Sequence, residues 1–358
     1  MENPKISVVM ATAQKNYPMI GFETQDMFSY VIQALQRQTF RDFEFIISDY
    51  HYSTREFDFS RIGHPSFPVY RIPITHSLAH KMGYCAMSAS RNAGIMFASA
   101  PFLVMLDDCG IFEAKYLERI YTYWQQLGTF PSSLFMIEQG TDSYKDKDGK
   151  EVKDDRFGIL EASGHDVLIN GSNMYSYSSM STEAILRING YPEDHDFSFG
   201  LDDIDTGQRL MKAGYKISIH KNLIVKEQKH VRTPNSEEDM PDGSFHFKQH
   251  LFCSGPIVFL KLETRTGEDY IQANRRQYTE EEKAILMEKP CHYSHISPEG
   301  VTICKGSRLP CDWDRYVSKE KQHMELSGTE TYLNNLPVFD LAQERQKRLA
   351  DKEKYRVR

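Results

Sequence analysis

The chain of 358 residues has little cysteine, six in all, and only two tryptophans. Cys85, Cys109, Cys253, Cys291, Cys304 and Cys311 are too sparse for a disulfide scaffold, so reduced thiols or a metal site are the alternatives. No stretch approaches the roughly 20 consecutive apolar residues of a membrane helix, and no transmembrane segment is expected. Met1-Glu-Asn-Pro-Lys-Ile6 lacks the basic and apolar regions of a signal peptide, which makes a cytoplasmic location the expectation. Excess positive charge is missing too. A net charge of −7 argues against a globally basic nucleic-acid binder, while leaving room for a local basic cleft. No internal repeat stands out.

What is present is ordinary for a folded protein: 40% apolar and 26% charged residues, in a chain long enough for one large domain or two of usual size. Ile6-Ser-Val-Val-Met10 is a short β-branched run that reads as a buried strand. Residues Glu23 to Gln36 place Met27, Val31 and Leu35 on one helical face, and Glu44 to Ser48 read as the next strand. Val69 to Ile72 make a third strand, Ser88 to Ser99 a helix, and Phe102 to Leu106 a strand ending in Asp107-Asp108. Alternating strands and helices predict an α/β fold with a mostly parallel, Rossmann-like sheet covered on both faces. In such sheets ligands gather at the carboxyl ends of the strands, where Thr12, Asp49, Asp107 and Asp108 fall. The plainer alternative is that these aspartates only end strands and open turns.

Further along, Lys115 to Leu127 read as a helix and Asp142 to Asp155 as an exposed polar loop. Met174 to Ser178 read as a strand, and Thr182 to Asn189 as a helix closed by Gly190. Asp203 to Ala213 repeat that pattern with Gly214 as cap, and Lys216 to His220 form another strand. Past about His230 the regularity fades and Thr233 to Gly243 read as an acidic loop. The division expected is therefore 1–230, with halves of about 1–110 and 111–230, followed by a C-terminal extension at 231–358. That extension would bind acceptor or mediate an oligomer contact. Asp340 to Arg358 read as a solvated helix or frayed tail, with a phosphate-binding arm as the alternative.

Three separated segments carry a common resemblance. They are Ile6 to Thr12 with Gln38 to Asp49, Ser90-Arg-Asn-Ala-Gly94 running on to Asp108, and Ile188-Asn-Gly-Tyr-Pro-Glu193 followed by Phe199-Gly-Leu-Asp-Asp-Ile-Asp-Thr-Gly-Gln-Arg209. Together they resemble the family 2 glycosyltransferases, which share the nucleotide-binding fold called GT-A and take sugars from nucleotide donors. The resemblance covers roughly residues 5 to 230 and implies a GT-A domain. It further implies a nucleotide-sugar donor, most simply a UDP-sugar, contacted by Ala11, Thr12, Asp49, Arg91, Asp107 and Asp108, with Asp49 on the base.

The same resemblance implies a divalent Mn²⁺ or Mg²⁺ held near Asp107-Asp108-Cys109, with Asp108, Cys109 and His230 as ligands. His220 competes with His230 for that role. Cys109 stands where the family carries a carboxylate, and a soft thiolate matches these hard cations badly. Asp203 is the implied general base of an inverting displacement, with Asp202 beside it in the catalytic motif. Helix capping is the alternative role for Asp202, Asp203 and Asp205. In the C-terminal part, His246, His250, Cys253, Cys291, His292, His295, Cys304 and Cys311 admit a structural Zn²⁺, although no Cys-x-x-Cys pair is present. The acceptor would be a carbohydrate or another hydroxyl compound, and a modified DNA base is an alternative. The rival reading from another class is a catalytically silent GT-A binding or scaffold module.

Overall fold

The structure is a computed structural model that describes residues 4–12, 27–53, 64–82, 86–138, 156–171, 177–196, 198–199, 201–228, 252–253, 255–288, 295–296, 302–303 and 330–357. Its first sheet is built from β1 (Ile6–Thr12), β2 (Phe43–Asp49), β3 (Val69–Pro73), β4 (Phe102–Asp107) and β8 (Ser179–Ser181). They lie in the order β3-β2-β1-β4-β8, parallel except for the antiparallel β8 at one edge. Every residue of β1 and β2 is buried, which is why their apolar residues fall on consecutive positions, Val8 to Met10 and Phe45 to Ile47, instead of strictly alternating ones. Helices α1 (Met27–Gln36), α2 (Leu78–Met82) and α3 (Met87–Phe97) fall between these strands in the chain.

The second sheet centres on β10 (Ile217–Gln228). It pairs parallel with β6 (Phe130–Glu138), and antiparallel with β5 (Gly110–Phe112) and β7 (Val167–Ile169). Helices α4 (Tyr116–Leu127), α5 (Arg156–Ser163), α6 (Thr182–Arg187) and α7 (Asp202–Lys212) belong to this half of the chain. The fold is thus α/β with two mixed sheets.

Local expectations meet the structure unevenly. Gly190 and Gly214 adopt positive φ, 85° and 94°, as left-handed caps require. Most of the strand expected at Met174 to Ser178 lies outside the described residues; within it Ser178 makes an isolated antiparallel bridge with Ser132, and β8 follows directly. β10 runs on well past His220.

The segments after residue 230 pack onto the rest. A short parallel pair joins β9 (Ser198–Phe199) to β11 (Phe252–Cys253), and α8 (Gly255–Thr264), α9 (Gly267–Ile271) and α10 (Glu280–Glu288) follow. Ile271 and Leu341 join the main apolar core. The expected solvated tail is a docked element: α11 (Leu341–Ala350) lies on α3, and Arg345 Nε donates to Ala98 O at 2.9 Å. Lys352 pairs with the buried Glu44, which also accepts Ser7 Oγ at 2.6 Å and Ser99 N at 2.8 Å. A buried carboxylate at the amino end of the sheet needs such a cation, and the tail supplies it.

The position of α3 depends on Gly94. A Cβ there would overlap Val9 Cγ1 of β1 and sit 3.0 Å from Ser48 Oγ of β2, so only glycine lets the helix lie this close. Gly94→Ala is therefore expected to destabilise the protein by about 1–3 kcal/mol, the usual cost of overpacking a core. Urea unfolding checks this, and an unchanged midpoint contradicts the close approach.

Candidate active site

α3 has no side-chain cap of its own. Asp196 provides one from a distant loop, accepting Ser88 N at 2.6 Å and Ala89 N at 2.9 Å. Burial, reinforced by Glu193, raises the Asp196 pKa well above the usual carboxylate range.

Two consecutive residues of α3 then reach across to the segment 188–203. Asn92 Nδ2 donates to Tyr191 O and Glu193 Oε1, both at 2.9 Å, and its Oδ1 accepts Tyr191 N at 2.8 Å. Asn189 and Gly190 make this approach with φ of 58° and 85°, and a Cβ on Gly190 would run into Asn92 Oδ1. The buried Arg91 guanidinium pairs with Asp202 at the start of α7 and with Asp107 Oδ1 at the end of β4, the latter at 3.4 Å. It also lies 5.1 Å from the centre of the Tyr191 ring. Burial works against the charge on Arg91, but Asp202 and Asp107 outweigh it and raise the pKa, so the group stays cationic.

α7 begins sharply. Leu201 precedes it with φ 65°, a left-handed conformation that costs a branched side chain energy. The turn sets Asp202 and Asp203 side by side in the first helical turn, where the peptide dipole favours negative charge. Asp203 is half-buried, and its Oδ1 accepts Ile204 N at 2.8 Å. Burial first, and then the neighbouring Asp202, push its pKa up to about 7 against the pull of Arg91. Helix-end bonding and a perturbed carboxylate thus coexist at this residue.

The strand ends complete the cluster. In the register of β1 with β4, Ala11 lies opposite Asp107, and Thr12 Oγ1 donates to Asp108 Oδ2 at 2.6 Å. The strand order reverses between β1 and β4, which is where open α/β sheets form their ligand crevice. Ala11, Thr12, Arg91, Asp107, Asp108, Asp202 and Asp203 are thus gathered around one place. The Asp107 side chain retains 24% exposure.

Other expected residues stand differently. Asp49 is 0% exposed, and its two oxygens accept Arg71 Nε at 2.8 Å and His51 N at 2.9 Å. In this arrangement it orients Arg71 over the Tyr52 ring instead of facing outward. Cys109 is buried and bonded to Tyr177 OH at 3.4 Å. Burial, then Glu227, Asp107 and Asp108, raise its pKa well above the usual thiol value. An enclosed thiol with a raised pKa is a poor donor to a hard divalent cation, so this surrounding gives the ligand role expected of Cys109 no support. His220 lies near the amino end of β10, opposite Val167 of β7, whereas Val225 to Glu227 of the same strand pair with β5. It is buried, stacked on Tyr123 at 4.1 Å, with a ring nitrogen 2.9 Å from Ser218 Oγ. Burial lowers its pKa to about 4.

His230 lies outside the described residues, as do most of the C-terminal cysteines and histidines weighed for zinc. Among the described residues, no group of three or more histidine, cysteine, aspartate or glutamate side chains is arranged to hold a metal ion.

Glu227 was missed by the sequence reading. It is buried on β10 opposite Gly110 and close enough to Cys109 to raise its pKa. The signal was the alternation of Leu223, Val225 and Glu227, which puts the carboxylate on the inward face.

Residues 174–233 match the family model described as the N-terminal domain of galactosyltransferase. The matched segment includes α6, α7 and all of β10, and so contains Asp202 and Asp203. This match supports a glycosyltransferase in general. No curated protein matches the chain. Among the described residues, no helix is long and apolar enough to cross a membrane.

The Asp203 carboxyl is expected to titrate near 7, which ¹³C NMR of aspartate-labelled protein reads directly. Removing the adjacent like charge with Asp202→Asn is expected to move that titration downward. A titration that stays in place contradicts the like-charge origin.

Proposed function

We propose that the chain is a glycosyltransferase of GT-A type, moving a sugar from a nucleoside diphosphate donor to an acceptor hydroxyl with inversion at the anomeric carbon. The observation that carries this reading is the Arg91 bridge: its guanidinium joins the strand-end carboxylate Asp107 to the helix-start carboxylate Asp202, which lies 111 residues beyond Arg91 in the chain. It puts the residues suited to a diphosphate next to the residue suited to proton transfer. UDP is the donor nucleotide to test first, and UDP-galactose the first sugar donor, in view of the family that residues 174–233 match.

In the proposed reaction the acceptor oxygen attacks the anomeric carbon opposite the leaving group. The new C–O bond forms as the bond to the diphosphate oxygen breaks, and that electron pair leaves with the nucleotide. Asp203 takes the acceptor proton. A base with pKa about 7 is suited to this at neutral pH, because about half of it is ionised and that half is basic enough to pull the proton. Its carboxylate fraction falls as pH drops through 7, so the rate is expected to fall on the acid side.

Asp107 and Asp108 fit a hard divalent cation such as Mn²⁺ or Mg²⁺, which binds through one or two carboxylates when phosphates supply further oxygens. Such a cation would neutralise the charge of the leaving diphosphate. The Arg91 guanidinium and the Thr12 hydroxyl adjoin these carboxylates and orient them. Cys109 has no part as a ligand in this scheme. Its burial is the one observation favouring a second reading, a nucleotide-binding module without catalysis.

Calorimetric titration with UDP, with and without Mn²⁺, followed by donor hydrolysis across UDP-sugars, tests the proposal. Metal-assisted binding and hydrolysis of one donor are expected. Asp203→Asn is expected to lower transfer by about 10²–10⁴-fold while sparing donor binding. Binding without turnover of any donor favours the silent module, and no binding to any nucleoside diphosphate overturns both readings.

A further inference from the structure

α7 carries a third acidic residue in its first turns, Asp205, which pairs with a set of cations other than Arg91. Its side chain is 0% exposed, and three cationic or potentially cationic groups surround it. Lys261 Nζ of α8 lies at 3.2 Å, His195 Nε2 at 3.3 Å and Arg209 Nε, one helical turn on, at 3.5 Å. Lys261 also reaches Asp194 at 2.7 Å, in the short 3₁₀ turn Glu193–His195, and Tyr278 OH donates to the same carboxylate at 2.6 Å. Although burial pushes the Asp205 pKa up, Lys261 and Arg209 hold it well below the usual range, so it is an anion in the folded protein.

The arrangement is specific in what it joins. Asp194 belongs to the turn that ends with Asp196, the cap of α3, and Asp205 belongs to the helix that presents Asp202 and Asp203. A single ammonium group from the C-terminal part of the chain bridges both. Buried carboxylates tolerate no rotation away from such a partner, because an unpaired charge in the interior is far more costly than a paired one.

We infer that Lys261 is a positioning residue for α7: by clamping Asp205 to Asp194 it fixes the direction in which the first turn presents Asp203. The C-terminal helices are on this account a working part of the site. Catalytic geometry is lost over displacements near an ångström, so a modest swing of the helix start is enough to separate base from acceptor. The rate consequence rests on the function proposed above, whereas the clamp itself does not.

Lys261→Gln tests both levels. Hydrogen exchange read by mass spectrometry is expected to rise at least tenfold for the amides of the first turns of α7, with β1, β2 and β4 unchanged. Donor hydrolysis is expected to fall at least tenfold in kcat with KM and UDP affinity within about twofold, and Lys261→Arg is expected to restore most of the rate. Should Lys261→Gln fail to fold, the isosteric Asp205→Asn reads the same contact from the helix side.

Unchanged exchange in α7 overturns the clamp. Exchange that rises throughout the protein, with binding and turnover lost together and no rescue by arginine, also overturns it by showing a general stabilising role. If the wild-type protein neither binds nor turns over any nucleotide donor, the functional reading fails alone, and the exchange result still decides the clamp.

Discussion

One buried cation governs the centre of this molecule. Arg91 is enclosed in protein, and the enclosure is tolerable only because Asp107 and Asp202 pair with it. The dependence runs both ways. Asp202 and Asp203 are adjacent on α7, and without Arg91 the repulsion from Asp202 and Asp107 would raise the Asp203 pKa further. The pairing forces the end of β4, the middle of α3 and the start of α7 into one place, and those are the elements from which the candidate site is made.

The rest of the core serves that arrangement. Gly94 lets α3 lie against β1 and β2, Asp196 caps its amino end, and Asn92 locks it to the turn at 189–193. The helix is therefore held on three sides before Arg91 makes its ion pairs. From the far side the C-terminal segments add Asn189 as an anchor. Its side-chain amide donates to Ala273 O at 2.6 Å and to Phe339 O at 2.9 Å, and its Oδ1 accepts Leu341 N at 2.7 Å. The turn at 189–193 is thus squeezed between α3 and the end of the chain.

Much of this was legible in the sequence where local chemistry decides the outcome. The apolar runs at Ile6 and Phe102, the caps at Gly190 and Gly214, and the gathering of Thr12, Asp107 and Asp108 at strand ends follow from propensity and period alone. Long-range pairing was not legible. Nothing in Lys352 announces Glu44 as its partner, so the tail reads as solvated until the fold brings the two together. Asp49 illustrates the same limit, since its position at the end of β2 was predictable but its enclosure by Arg71 and His51 was not. Cys109 was suspected from chemistry as a poor ligand, and burial beside Tyr177 and Glu227 supplies the physical reason. Glu227 follows from the period of two in β10, where it shares the inward face with Leu223 and Val225.

The most direct test of the account is a crystal structure with UDP and Mn²⁺. The account predicts the diphosphate and metal at Asp107 and Asp108, between the ends of β1 and β4, with Arg91 alongside and Asp203 facing the space where the sugar would lie. Nucleotide bound elsewhere on the protein, or a diphosphate out of reach of both aspartates, would contradict it.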